Sequence, residues 1–145
     1  MIVGIILAML VICPLIVWAA TGGETVSMEW TWIRGSTYRN PVWSAVVTCV
    51  WDDDDTADVT QEINVNGIIQ KIILSAPDGS NAVTYQVVIT DNEGYTIFDS
   101  GEQAEDADYA WSVHEPVNGT ISVIVGPSGA IGATNPDAVV VLRGI

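Results

Sequence analysis

The first twenty residues, MIVGIILAMLVICPLIVWAA, contain no Asp, Glu, Lys or Arg. Their length matches the about 20 apolar residues needed to cross about 30 Å of hydrocarbon. The stretch predicts one N-terminal hydrophobic α-helix, broken at Thr21-Gly22-Gly23, with Pro14 a kink that a membrane helix tolerates. After Gly23 the period changes to two. Val26, Met28, Trp30 and Trp32 alternate with Thr25, Ser27, Glu29 and Thr31, as expected of a strand with one apolar face. Trp43, Ala45, Val47, Cys49 and Trp51 line one face of a second strand, which WDDDDTAD ends.

Short strands are then predicted at regular spacing over 59–65, 68–74, 83–90, 95–99, 120–125 and 138–143. Turn residues separate them: Asn66-Gly67, Pro77-Asp78-Gly79, Asp91-Asn92-Glu93-Gly94, Asn118-Gly119, Gly126-Pro127-Ser128-Gly129 and Asn135-Pro136-Asp137. The clearest hairpin is YQVVITDNEGYTIFD, whose Gly94 can take a positive φ. The 102–110 segment reads as loop. Without a helical period after residue 20, about eight strands imply an all-β antiparallel sandwich or small barrel, jelly-roll-like or Ig-like. The expected organisation is a hydrophobic helix over 1–23 and an acidic β-sandwich over 24–145.

Charge sharpens this division. The chain carries 18 Asp and Glu against 4 Lys and Arg, a net charge of −14. Residues 1–51 are balanced (Glu24 and Glu29 against Arg34 and Arg39), so the whole excess lies beyond them. Such a surface argues against nucleic-acid binding, which needs cations to neutralise phosphates. Five of the six tryptophans lie in the first 51 residues. Trp18 sits where an interfacial aromatic belongs, at the end of the apolar run.

The segment from VTCVW through NGIIQKIIL and TYQVVITDNEGYTIFDSG to GTISVIVGPSG and AVVVLRG resembles small β-sandwich, virion-associated structural proteins of tailed bacteriophages. The resemblance spans about residues 44–145. It rests on Gly67, Ile69, Lys71 and Ile72; on Tyr85, Val87, Ile89, Thr90, Asp91, Glu93 and Gly94; and on Gly119, Ile121, Val123 and Val125. It implies a structural role in a virion and brings no catalytic residues. The N-terminal apolar helix departs from the family and would suit a virus with a membrane beneath its capsid.

Candidate chemistry is sparse. Asp52, Asp54, Asp55 and Asp58 could supply oxygen ligands to Ca2+, the one cofactor the chain suggests. An EF-hand loop is excluded, because Ala57 stands where Gly is required and Ile63 where Glu is required. His114 is the sole histidine, so no His-based zinc site exists, and Gly126-Pro127-Ser128-Gly129 is no nucleophile elbow. No enzyme activity and no small-molecule substrate are expected.

The leading expectation is a structural virion protein, membrane-associated and working by subunit packing with other copies and other virion proteins. Ile2, Val3, Ile5, Ile6, Leu7, Leu10, Val11, Leu15, Ile16, Val17 and Trp18 would anchor it in lipid, and Trp30, Trp32, Trp43 and Trp51 would serve subunit interfaces. The alternative is a secreted or surface-displayed binding module for glycan or Ca2+ whose N-terminus is a cleaved signal peptide. Val17 and Ala19 suit positions −3 and −1 of a cut before Ala20, although no basic n-region precedes the apolar run.

Overall fold

The computed structural model describes residues 18–19, 25–33, 42–52, 54–132 and 137–145. Its nine strands are β1 (Trp18–Ala19), β2 (Thr25–Ile33), β3 (Val42–Val50), β4 (Val59–Ala76), β5 (Thr84–Thr90), β6 (Thr96–Asp99), β7 (Gln103–Ala104), β8 (Ala107–Pro127) and β9 (Asp137–Gly144). All pairings are antiparallel, in the order β1-β2-β3-β9-β4-β8-β5-β6, with β7 against the start of β5.

A long ribbon of β4 and β8 organises the molecule, pairing from Val59↔Val125 to Ala76↔Ala107. One half of it joins β9, β3 and β2, because β9 pairs only with residues 69–75 of β4. The other half joins β5 and β6, because β5 pairs with residues 122–127 of β8. Between the halves, Asn66 pairs with Asn118, and the register shifts between Ile69 and Lys71. Gly67 (φ +145°) and Gly119 (φ +107°) supply backbone conformations closed to most side chains. The two Asn-Gly pairs expected to end strands therefore face each other across an unbroken ladder and bend it. The predicted strands 59–65 and 68–74 are one strand, and 120–125 belongs to a strand that begins at residue 107.

The bend brings the two half-sheets face to face around one core. From the first half come Ala45, Val47, Cys49, Ile72, Leu74, Val140 and Leu142; from the second come Ile63, Tyr85, Val87, Ile89, Ile121, Val123 and Val125. Contact between the layers is direct: the Trp51 and Tyr85 ring centroids are 6.1 Å apart. The inward face of β4 changes from odd to even numbers across the register shift (Ile63, Val65 and Ile69, then Ile72, Leu74 and Ala76). The bulge thus keeps apolar side chains inside along 18 residues. The expected antiparallel sandwich is found, with the two sheets continuous through the ribbon.

Three expectations change or fall outside this description. Residues 1–17, with the anchor positions Ile2 to Val17, lie outside the described residues. Trp18 and Ala19 are extended, paired with Val26 and Thr25, where the end of a helix was expected. Backbone pairing with β2 satisfies there the polar groups that a helix would have satisfied internally. Among the described residues no helix is long and apolar enough to cross a membrane. The 102–110 segment, expected as loop, contributes β7 and the start of β8. Tyr109 and Trp111 carry the alternation that this expectation missed.

Candidate functional site

The described parts of the connections, 51–52, 54–58, 77–83, 100–106 and 128–132, gather at one end of the sandwich, because β4 begins where β8 ends and β5 begins beside Pro127. The acidic run lies in the first of them. The Trp51 indole, 0% exposed, donates from Nε1 to the Ala57 carbonyl at 2.9 Å and ties the loop down. Asp55 accepts at Oδ1 from the Thr56 and Ala57 amides (2.8 and 3.2 Å), and its own amide donates to the Asp52 carbonyl at 3.2 Å. Asp52, Asp54 and Asp58 are exposed. Among the described residues no three acidic, His or Cys side chains come together where an ion could be held, so this geometry does not bring the four aspartates onto one Ca2+. One carboxylate oxygen of Asp55 serves the turn instead.

Asp58 leaves the run and faces elsewhere. Its carboxylate lies against Gly126, where any Cβ would overlap Oδ1. There it walls a depression of about 90 Å³ on the outer face of the second half-sheet. Glu102 stands on the loop after β6, and Val88, Ile124 and Pro127 supply apolar lining. Thr84, Gln86 and Ser128 supply hydroxyl and amide groups. The Gln86 amide donates to Asp99 Oδ1 at 2.8 Å, and Ser128 Oγ accepts from the Thr84 amide at 2.9 Å. The bonds from Gln86 and the Gly101 amide hold the Asp99 carboxyl below its ordinary range. Thr84 Oγ1 is buried and has no hydrogen-bond partner among the described residues. The site therefore offers two carboxylates, a tethered amide and the exposed Ser128 hydroxyl beside an apolar patch, with the Thr84 hydroxyl buried beneath them. Only Asp58 was singled out in the sequence; Thr84, Gln86, Glu102 and Ser128 come from three other segments that no spacing links.

Behind the depression, Tyr85 is 0% exposed and its hydroxyl lacks a partner among the described residues. Burial first, then the charges of Glu105 and Asp78, push its phenol up to about 12. Glu105 accepts the Gly79 amide at 3.0 Å and joins the 77–83 and 105–106 turns.

The expected interface tryptophans divide. Trp43 and Trp51 are 2% and 0% exposed and belong to the core, so neither offers surface to a partner. This corrects the interface role expected for them: the alternation that put them on one strand face put them on the inner one. Trp30 and Trp32 pair through the backbone with Ala45 and Trp43, and their side chains lie outside the description. A different aromatic group closes the gap between β6 and the first part of β8. Phe98 meets Trp111 edge-on at 5.3 Å, and Tyr109 stacks on Trp111 at 6.1 Å with 16° between planes. Cys49 is a free thiol at 0% exposure, pushed up to about 12 by burial and so kept from reacting. His114 is exposed on β8.

No family model matches the chain, and no curated protein matches it. Solved structures resemble it in outline. The C-terminal family 22 carbohydrate-binding module of Clostridium thermocellum Xyn10B superposes with a TM-score of 0.41 at 14% identity, over 87% of this chain and 88% of that one. A family 35 carbohydrate-binding module from an environmental isolate gives 0.39 at 18% identity, over 61% and 67%. The enzymatically active domain of bacteriophage CBA120 tailspike protein 4 gives 0.35 at 12% identity, over 87% of this chain but 18% of that one. The fold and the site stand on the chain's own pairing and packing rather than on these likenesses.

Proposed function

We propose that this chain is a non-catalytic binding module of a secreted or surface-displayed protein, and that the depression beside Asp58 receives a saccharide. The supporting observation is the lining itself: Asp58, Glu102, Gln86 and Ser128 around Val88, Ile124 and Pro127. A sugar ring presents hydroxyls that both donate and accept, with apolar C–H faces between them. Carboxylates take its donors, an amide and a hydroxyl serve either role, and the apolar patch covers the C–H face. The depression is shallow, so the expected affinity is modest and selectivity comes from the polar groups.

The test is titration of the labelled protein with a panel of neutral and amino-sugar oligosaccharides, followed by amide NMR. Binding should shift resonances of residues 84–88, 102 and 124–128, and Asp58→Asn should weaken it at least tenfold. A panel that shifts none of these resonances defeats the proposal.

The uncharged Met1–Ala20 segment favours a second reading, a membrane-associated virion protein that acts by packing against its neighbours. Intact mass separates the two. Loss of about 2 kDa, about nineteen residues from the N-terminus, matches signal cleavage and defeats the anchor. Retention of Met1–Ala20 with partition into detergent supports it.

A further inference from the structure

The outer face of the first half-sheet carries a pattern that the saccharide proposal does not use. Strand register arranges its outward side chains in cross-strand rows. Ser44, Arg143, Lys71 and Ser112 form one row, and Glu29, Val46, Val141, Ile73 and Ala110 the next. Thr48, Val139, Ser75 and Asp108 follow, and Val50 with Asp137 completes the face at the loop end. Val46, Val50, Val139, Val141 and Ile73 are half-buried on this side, and Arg143, Lys71, Asp108 and Asp137 are exposed. Lys71 and Arg143 are the only Lys and Arg among the described residues, and both lie in the one end row. The face is thus apolar at its centre, basic at one end and acidic at the other. Five strands about 4.8 Å apart and four rows about 6.8 Å apart make it about 19 Å wide and about 20 Å long, the scale of a protein–protein interface core.

We infer that this face binds a second copy of the same chain, stacked so that the strands of the two copies run in opposite directions. A two-fold axis across the strands near Val140 sets Arg143 of each copy against Asp137 of the other and lays Val141 over Val139. Charge decides the occupant and the direction. A like-directed stack would oppose Arg143 to Arg143, and elsewhere the described surface of the chain is acidic, so it offers no comparable apolar face with complementary ends. The pairing is isologous and closes at two copies.

The test is sedimentation equilibrium of the full chain, with and without non-ionic detergent. The expected mass is twice the 15.5 kDa chain mass, and Val141→Glu should weaken association at least tenfold with the circular dichroism spectrum unchanged. Arg143→Asp and Asp137→Arg, at exposed sites that leave the core intact, should each weaken it, and the double variant should regain it. A monomer at about 100 µM overturns the inference. So does a dimer indifferent to Val141→Glu, which would mean association through another part of the chain. A double variant as weak as the single ones overturns the opposed arrangement.

Discussion

Gly144→Ala probes the contact that locks the ribbon bend to the core. Gly144 ends β9 against the Trp43 ring, and Trp43 is 2% exposed. A Cβ built there would lie 2.5 Å from Trp43 Cε2, and closer still to Cζ2 and to the Ile68 carbonyl oxygen. One neighbour is backbone and the other a ring packed on all sides, so neither yields cheaply. Overpacking of this kind costs about 1–3 kcal/mol, and the double clash points to the upper part, about 2–3 kcal/mol. For a chain of this size the midpoint of thermal unfolding should drop by about 6–12 °C. The assay is a double-mutant cycle by urea unfolding with Trp43→Phe, which removes the offending ring atoms and leaves the Ile68 carbonyl in place. Relief should be partial, with a coupling of at least about 1 kcal/mol. Additivity within about 0.5 kcal/mol, or a Gly144→Ala variant as stable as the parent, would refute the packing argument.

Gly126→Ala should push the Asp58 carboxylate off its seat at a stability cost below about 1 kcal/mol, because an exposed side chain can swing away; saccharide-induced shifts at 84–88 should disappear, and retained shifts would clear Asp58 of any role. Alkaline stability should fall above about pH 9, since the folded state keeps Cys49 and Tyr85 neutral up to about 12 while the unfolded chain ionises them from ordinary values of 9.0 and 10.0. The unfolded state then binds fewer protons, so stability present at neutral pH is lost by about 1.4 kcal/mol per pH unit for each group; in urea titrations, Cys49→Ala should flatten the first part of that decline, and an unchanged slope would contradict it. Trp111→Ala should cost about 2–3 kcal/mol and speed amide exchange in β6, through loss of the Phe98 contact; unchanged β6 protection would show that the aromatic group does not hold that edge.

What could be read from the chain was whatever depends on neighbours two residues apart. The Trp43–Trp51 alternation, the 84–99 hairpin and the valine-rich last strand all emerge as expected. In the hairpin, Asp91 Oδ1 accepts the Glu93 and Tyr95 amides at 3.0 and 2.8 Å, as an Asx-type turn should. What could not be read depends on partners far away in sequence. Asn66-Gly67 looks like a turn by itself and becomes a bend only because Asn118-Gly119 meets it across the ladder. Tyr109 and Trp111 alternate within an acidic stretch whose polarity hides the strand. The depression was invisible for the same reason: Asp58 belongs to a conspicuous run, yet its companions Thr84, Glu102 and Ser128 are ordinary residues until three connections converge on them.

The order of the strands also governs how the chain can be made. β9 lies between β3 and β4, yet it follows every other described strand in the chain. Until residues 137–144 leave the ribosome, one edge of β3 and one edge of β4 have no partner, and the valines meant for the interior face water. A nascent chain therefore passes through a stage with two open, apolar sheet edges, the condition most prone to mispairing between copies. Completion is a late insertion instead of a stepwise growth, with contacts spanning about a hundred residues and a correspondingly slow final step. Loss of residues 137–144 would leave both edges open and the core unclosed, even with the eight other described strands in place.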